Sequence, residues 1–254
     1  KRQIDISAKG FLKALENTSA GKYEYEIQEI LEMEFRMSGA KRNGYPSIVA
    51  SGKNSCILHY VSNNKVLEKD SLILIDAGSE WDYYSADVTR TWPINKKFTG
   101  EQKDIYEIVL QANNNAIQEC KVGNSINDPH VMALNTIIDG LKNLKILTES
   151  ADEILEKKLY FPFYMHSTSH WLGLDVHDAG KYKDLNNNFT QFQEGMILTI
   201  EPGLYFGDMA QKITKKYKNI GIRIEDDILI TKSGPKNLTE SIPKEINEIE
   251  NIRF

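Results

Sequence analysis

Five side chains of metal-ligating type stand in this chain in contexts suited to holding them rigidly: Asp76, Asp87, His170, Glu201 and Glu225. The run SLILIDAG brings Asp76 to the end of an apolar strand, and ADVTRTW sets Asp87 on a β-rich stretch soon after. His170 lies in HSTSHWLGLDVHD, ILTIEPGLY ends a strand at Glu201, and GIRIEDDILIT holds Glu225 inside an alternating strand. Four carboxylates and one imidazole suit two divalent ions that share bridging carboxylates, because hard oxygen donors favour Mn-like or Zn-like ions over soft ones. The chemistry that follows is hydrolysis at a dinuclear centre.

Asp76 and Asp87 are eleven residues apart, too far for one strand, but a hairpin through Gly78–Ser85 would bring them together. Opposed side chains on antiparallel strands sit ~4.5–5.5 Å apart, close enough for two carboxylates to share a metal pair. Without cations the cluster repels itself, so metal ions or raised pKa values are needed to stabilise it. Taken singly, Asp76 before Ala-Gly is a turn former, Asp87 a turn cap and Glu225 a solvated strand residue; the five together are harder to explain that way. His166, His170 and His177 fall within twelve positions, yet Ser167 follows His166, so the HExxH pattern of mononuclear zinc proteases is absent. Trp171, Leu172, Leu174 and Val176 suggest an apolar pocket wall. His59 alternates with Ile57 and could face the same cleft, although alone it reads better as a satisfied core histidine. His130 reads as a surface or capping residue at a helix start.

The elements that must position these residues follow from periodicity. Apolar residues at helical spacing predict helices over 1–16 and 24–38, separated by the Thr18–Gly21 breaker. Short β-prone runs follow at 47–50, 56–61, 71–77, 81–85 and 86–92. Thr99 reads as the N-cap of a long helix to about Cys120, and a further helix spans roughly 127–143. Strands return at about 196–201 and 220–231, and the tail from Ser241 shows no clear period. The order implies an α+β fold with helices covering one sheet face. Because the candidate ligands spread from residue 76 to 225, we expect one catalytic domain over 1–254.

Composition narrows the function. A net charge of −5 with dispersed Lys and Arg offers no footprint for nucleic acid. Nothing approaches the ~20 apolar residues of a membrane span, and no signal-peptide core is seen. Cys56 and Cys120 form no framework and read as reduced core thiols, which favours the cytoplasm. Beginning at Lys1, the chain reads as a processed form or an excised piece of a longer protein.

The segments IVASGKNSCILHY, LILIDAGSEWDYYSADVTRTWP, FTGEQKDIY, MHSTSHWLGLDVHD, GMILTIEPGLY and GIRIEDDILIT together resemble the catalytic domain of the aminopeptidase P (Xaa-Pro aminopeptidase) family. Its wider group includes prolidase, methionine aminopeptidase and creatinase. The resemblance implies the pita-bread fold, two similar α+β halves around a curved antiparallel sheet, with a dinuclear metal site in the cleft. It carries the ligand roles onto Asp76, Asp87, His170, Glu201 and Glu225, with Asp87 and Glu225 bridging two ions, most readily Mn2+, with Zn2+ or Co2+ as alternatives. It implies Glu201 as proton acceptor, His177 at the scissile carbonyl, His59 and His166 against the substrate backbone, and Arg223 and Tyr45 behind the ligands. The implied substrates are peptides with an Xaa-Pro N-terminus, and the implied full-length protein is a homo-oligomer.

Two departures stand out. Ser167 and Thr168 replace the Gly-Leu common between the first two histidines, where added side chains could narrow the cleft or alter preference. An amino-terminal domain usual in such proteins is expected ahead of Lys1. The rival readings are prolidase, restricted to Xaa-Pro dipeptides, and a non-catalytic peptide- or protein-binding module on the same fold.

Overall fold

The computed structural model describes residues 1–252. Helices α1 (Arg2–Asn17) and α2 (Glu24–Met37) pack against each other through Phe11, Leu31 and Phe35, all buried. Removing each such side chain from water contributes about 1.5–3 kcal/mol. Strands β1 (Arg42–Asn43), β2 (Ile48–Ser51), β3 (Leu72–Asp76), β4 (Ser79–Trp81), β5 (Tyr84–Ser85) and β6 (Thr89–Pro93) follow. Next come helices α3 (Gly100–Gln118), α4 (Asp128–Asn143) and the short α5 (Ala151–Glu156). The chain then forms strands β7 (Ile197–Ile200), β8 (Gly203–Tyr205), β9 (Gly221–Arg223), β10 (Asp226–Thr231) and β11 (Gly234–Asn237), and ends in helix α6 (Ile246–Ile252).

The two halves are built alike. In the first, α1 and α2 accompany the antiparallel sheet β2-β3-β6; in the second, α3 and α4 accompany the antiparallel sheet β11-β10-β7. β3 is buried on both faces, as its continuous apolar run requires. Its register pairs Asp76 with Ile48 on one side and Thr89 on the other, which fixes Asp76 at the strand's inner end. α3 starts as its sequence dictates: the Thr99 hydroxyl accepts from the Gln102 N–H, and the Gln102 side chain accepts from the Thr99 N–H.

β6 joins the halves. The Glu225 N–H donates to the Thr89 carbonyl, and the Thr91 hydroxyl donates to the Arg223 carbonyl. Beneath this seam lies a buried ion cluster. The Arg90 guanidinium donates to Asp226 at 2.7 Å and to the Glu225 carbonyl at 2.6 Å, while Lys244 donates to the other Asp226 oxygen at 2.8 Å.

Several expectations are corrected. Residues 56–61 form no strand: a 3-10 turn over Gly52–Cys56 leads into irregular backbone. Local side-chain bonding replaces the ladder there, because the buried Glu24 carboxylate accepts from Ser51, Asn54, Tyr60 and the Lys65 N–H. The expected strand at 81–85 is a tight hairpin instead, with Asp82 and Tyr83 at positive φ in its turn. Asp87 lies in the irregular link before β6 rather than on a strand. The run at 220–231 is broken at Ile224–Glu225, so Glu225 is not inside a strand; its N–H pairs across to β6 instead. The tail from Ser241, read as aperiodic, contains α6, which buries Ile246 and Ile249. No helix among the described residues is long and apolar enough to cross a membrane.

Candidate metal centre and peptide cleft

A cleft of about 560 Å³ opens between the two halves, and all ten residues given a role by the resemblance line it. Asp76 arrives from the end of β3 and Asp87 from the link after β5. Glu201 follows β7, Glu225 sits in the break between β9 and β10, and His170 lies in an irregular loop. That loop is tied to β7 by the Glu201 N–H donating to the Thr168 carbonyl and the Thr199 N–H donating to the His170 carbonyl.

Asp87, His170 and Glu225 come together most tightly, each offering a ligand atom within 4.8 Å of the others. His170 Nε2 is 3.2 Å from Asp87 Oδ2 and 3.6 Å from Glu201 Oε1. Asp76 stands next to them but is held by other groups. The Tyr45 hydroxyl lies 2.6 Å from Asp76 Oδ1 and 2.5 Å from Asp87 Oδ1. Arg223 Nη2 donates to Asp76 Oδ2 at 2.5 Å. Four carboxylates and one imidazole therefore face one small volume, a donor set that fits two divalent ions.

Electrostatics support that fit. Burial pushes the Glu201 carboxyl up to about 8, against the pull of His170 and Arg223. Burial raises Glu225 strongly, and the neighbouring Asp87 adds to it. Asp76 is raised by burial with Arg223 opposing. His170 rises to about 9: burial works against it, but the hydrogen bond and charge of Asp87 and the charge of Glu201 prevail. Such acids favour their neutral forms until cations compensate them.

A sequence profile described as metallopeptidase family M24 matches residues 1–232. The chain belongs to this family. An Xaa-Pro aminopeptidase of Haemophilus influenzae is 44% identical over 247 residues, covering 97% of this chain and 57% of that relative. The aminopeptidase PepP structure from Pseudomonas aeruginosa superposes with a TM-score of 0.96 at 42% identity, over 99% of this chain and 57% of that one. A substitution variant of Escherichia coli aminopeptidase P in complex with substrate gives a TM-score of 0.94 at 41% identity, over 99% and 56%. The M24 chain thus has the pita-bread fold expected from its sequence, and it spans rather more than half the length of these relatives.

Within this M24 cleft the remaining candidates differ in setting. His59 is exposed at the rim, so the core-histidine reading does not hold. His177 packs edge-on against His170, ring centroids 4.3 Å apart, and burial followed by the His170 charge lowers its pKa. His166 has both ring nitrogens engaged: Nδ1 is 2.8 Å from the Ser167 carbonyl and Nε2 is 2.9 Å from the Tyr205 hydroxyl. The Ser167 carbonyl can only accept, so His166 Nδ1 carries the proton and Nε2 accepts the hydroxyl of Tyr205, which itself accepts from Arg223 Nη1. Burial first and Arg223 second push the His166 pKa down to about 3, keeping it neutral.

Other expectations fail. Of the proposed apolar wall only Val176 faces the cleft; Trp171 is buried against Phe192, with an indole N–H that has no partner among the described residues. Pro46, Ile48, Leu58 and Val61 supply the apolar lining instead. His130 is no surface cap, because its Nδ1 sits 2.8 Å from the Thr168 hydroxyl. Ser167 borders the cleft, but Thr168 is buried behind it and cannot narrow it. Tyr205, Thr89 and Asp227 went unnoticed in the sequence. Thr89 donates to Glu225 at 2.7 Å, and Asp227 accepts from the Asp87 N–H. Their one sequence signal is position, each lying within four residues of a candidate ligand. A larger cavity of about 850 Å³, lined by Lys53, Lys65, Lys216 and Lys218 with Glu68 and Asp70, contains none of those ten residues.

One pH effect follows for the metal-free protein. Glu201, Glu225, Asp76 and His170 all bind protons more tightly folded than unfolded. Their contribution is fully present below the unfolded values and is lost as pH rises through the folded ones. For Glu201 that window runs from 4.5 to about 8. Metal-free protein should therefore melt lower at pH 8 than at about pH 5, and added Mn2+ should flatten the difference because it binds the ionised carboxylates. Thermal melts across that range, with and without metal, measure this; a flat metal-free profile would contradict it.

Proposed function

We propose that residues 1–254 form one catalytic domain of a metal-dependent aminopeptidase that releases the N-terminal residue from peptides with proline in the second position. The observation that carries this reading is the convergence of Asp76, Asp87, His170, Glu201 and Glu225 at the floor of a peptide-sized cleft. Asp76, Asp87, His170, Glu201 and Glu225 would hold two divalent ions, with Asp87 and Glu225 shared between them, Asp76 serving one and His170 with Glu201 the other. Two divalent ions bound there, manganese in preference to zinc or cobalt, supply Lewis acidity and an activated water.

The chain's own residues do the rest. Glu201 takes the proton of the attacking water and passes it to the leaving proline nitrogen. His177 donates to the scissile carbonyl oxygen, and His59 meets the peptide backbone at the rim. His166, locked by Tyr205, presents its ring face rather than a free nitrogen, and contacts the substrate through packing. Arg223 orients Asp76, and Tyr45 holds Asp76 and Asp87 in register. The apolar lining from Pro46, Ile48, Leu58, Val61 and Val176 suits the rigid proline ring, whose tertiary amide lacks the N–H other peptides offer. We place the protein in the cytoplasm, in keeping with free thiols at Cys56 and Cys120, and as a homo-oligomer at full length.

The test is hydrolysis of an Xaa-Pro-Yaa tripeptide, the matching Xaa-Pro dipeptide and an Xaa-Ala-Yaa control by the full-length protein. Preference for the Xaa-Pro-Yaa peptide is the expected result. Preference for the dipeptide would make the protein a prolidase, and silence with all three would make the fold a binding module.

A further inference from the structure

Behind the loop that carries His166 and His170, on the side away from the cleft, lies a second polar cluster. Its hub is Thr168, which is fully buried. The Thr168 hydroxyl oxygen is 2.8 Å from His130 Nδ1 and 2.5 Å from the Tyr164 hydroxyl. His130 comes from the first turn of α4, and Tyr164 from the segment leading into the loop. A threonine can accept from one of these groups and donate to the other, so a single hydroxyl satisfies both the buried Tyr164 and the half-buried His130. An apolar side chain at this position would leave both unpaired.

The cluster touches the candidate site at two points. The Thr168 carbonyl accepts from the Glu201 N–H at 2.8 Å, so the hydroxyl pins the backbone directly beneath the proposed proton acceptor. The Tyr164 ring packs edge-on against His166, with centroids 5.0 Å apart and planes at 80°. His166 is thus held between Tyr164 on one side and Tyr205 on the other. The loop itself has no regular secondary structure to hold it.

We propose that Thr168 is a positioning residue for the peptidase reaction, with His130 and Tyr164 as its anchors, acting through Glu201 and His166. The proposal rests on the peptidase reading above. Thr168→Val keeps the shape and removes the hydroxyl; in full-length, metal-loaded protein it should lower kcat on an Xaa-Pro-Yaa peptide about 10- to 100-fold with KM little changed. Thr168→Ser should restore most of the rate. His130→Leu should cause a similar loss, and combining it with Thr168→Val should cost little more, since hub and anchor act as one unit. An independent readout is 15N NMR of the imidazoles in metal-free protein, with the His166 signals assigned through His166→Gln. The Nδ1-protonated form of His166 should dominate in the wild type and lose its dominance in Thr168→Val.

Wild-type kcat together with an unchanged His166 spectrum in Thr168→Val would overturn the proposal. So would a rate loss that simply follows a lowered melting temperature and is not restored by serine. Wild-type protein that cleaves no Xaa-Pro peptide would overturn the peptidase reading instead, and the NMR comparison would still decide whether Thr168 sets His166.

Discussion

Asp87→Ala should abolish turnover while the protein stays folded. Asp87 stands at the centre of the constellation: one oxygen is 3.2 Å from His170 Nε2, and the other receives the Tyr45 hydroxyl. Its ligand atoms also lie within 4.8 Å of those of Glu225. Alanine removes the proposed bridge between two ions, so both metal occupancy and rate should fall. The rate should drop on the order of 10³-fold or more, the upper range for losing one preorganised electrostatic group. The stability of the metal-free protein should not fall with it. Without metal the carboxylates repel one another, and deleting one relieves its neighbours, as the upward push of Asp87 on Glu225 indicates. Steady-state kinetics on a tripeptide, metal content and a thermal melt together test this. Near-normal rate at normal metal content would contradict the dinuclear assignment.

The second large effect is on stability. Arg90→Met should cost about 3–5 kcal/mol, because it strands the Asp226 carboxylate inside the protein. Arg90 is 1% exposed and Asp226 fully buried. Lys244 and the Thr239 hydroxyl would then hold a charge that Arg90 now shares with them. A methionine of similar volume adds apolar contact, but a single missing partner outweighs it while Asp226 remains. The wild type gives the matching acid behaviour. Burial opposes ionisation of Asp226, yet Arg90 and Lys244 bring its pKa below the ordinary value of 3.8. Its contribution is complete above that value and is lost as pH falls through the depressed folded one. Urea unfolding of Arg90→Met measures the loss, and a change under about 1 kcal/mol, the scale of an exposed pair, would contradict it. Because Arg90 also donates to the Glu225 carbonyl, part of the damage should appear as weaker metal binding.

The two effects mark what local sequence could and could not reveal. The strand ending at Asp76 and the helix starting at Thr99 were legible because each rests on neighbouring residues: an apolar run in one case, a reciprocal cap four residues long in the other. The five candidate ligands were legible as types, and the cleft brings them together. What escaped depends on partners far apart in the chain. Arg90 and Asp226 are separated by 136 residues, Glu24 and Tyr60 by 36, and His130 and Thr168 by 38. No periodicity encodes such pairs, so His130 read as a cap and the segment after β2 read as a strand. Trp171 misled for a related reason: an aromatic residue beside polar ones suits a pocket wall or a core equally, and only the packing of Phe192 and Tyr182 decides. The break at Glu225 is the most instructive miss. The alternating run GIRIEDDILIT reads as one strand, yet the chain leaves the ladder there and aims the carboxylate at Thr89 and the cleft.

The proposed dependence of peptide hydrolysis on two metal ions rests on these four carboxylates and His170. Its most direct test is a titration of metal-stripped full-length protein with Mn2+, following bound metal by calorimetry and Xaa-Pro-Yaa hydrolysis in the same samples. Activity that is absent without metal and reaches its plateau at two equivalents per chain is the predicted result. Full activity in stripped protein, or a plateau at one equivalent with no second binding event, would contradict it.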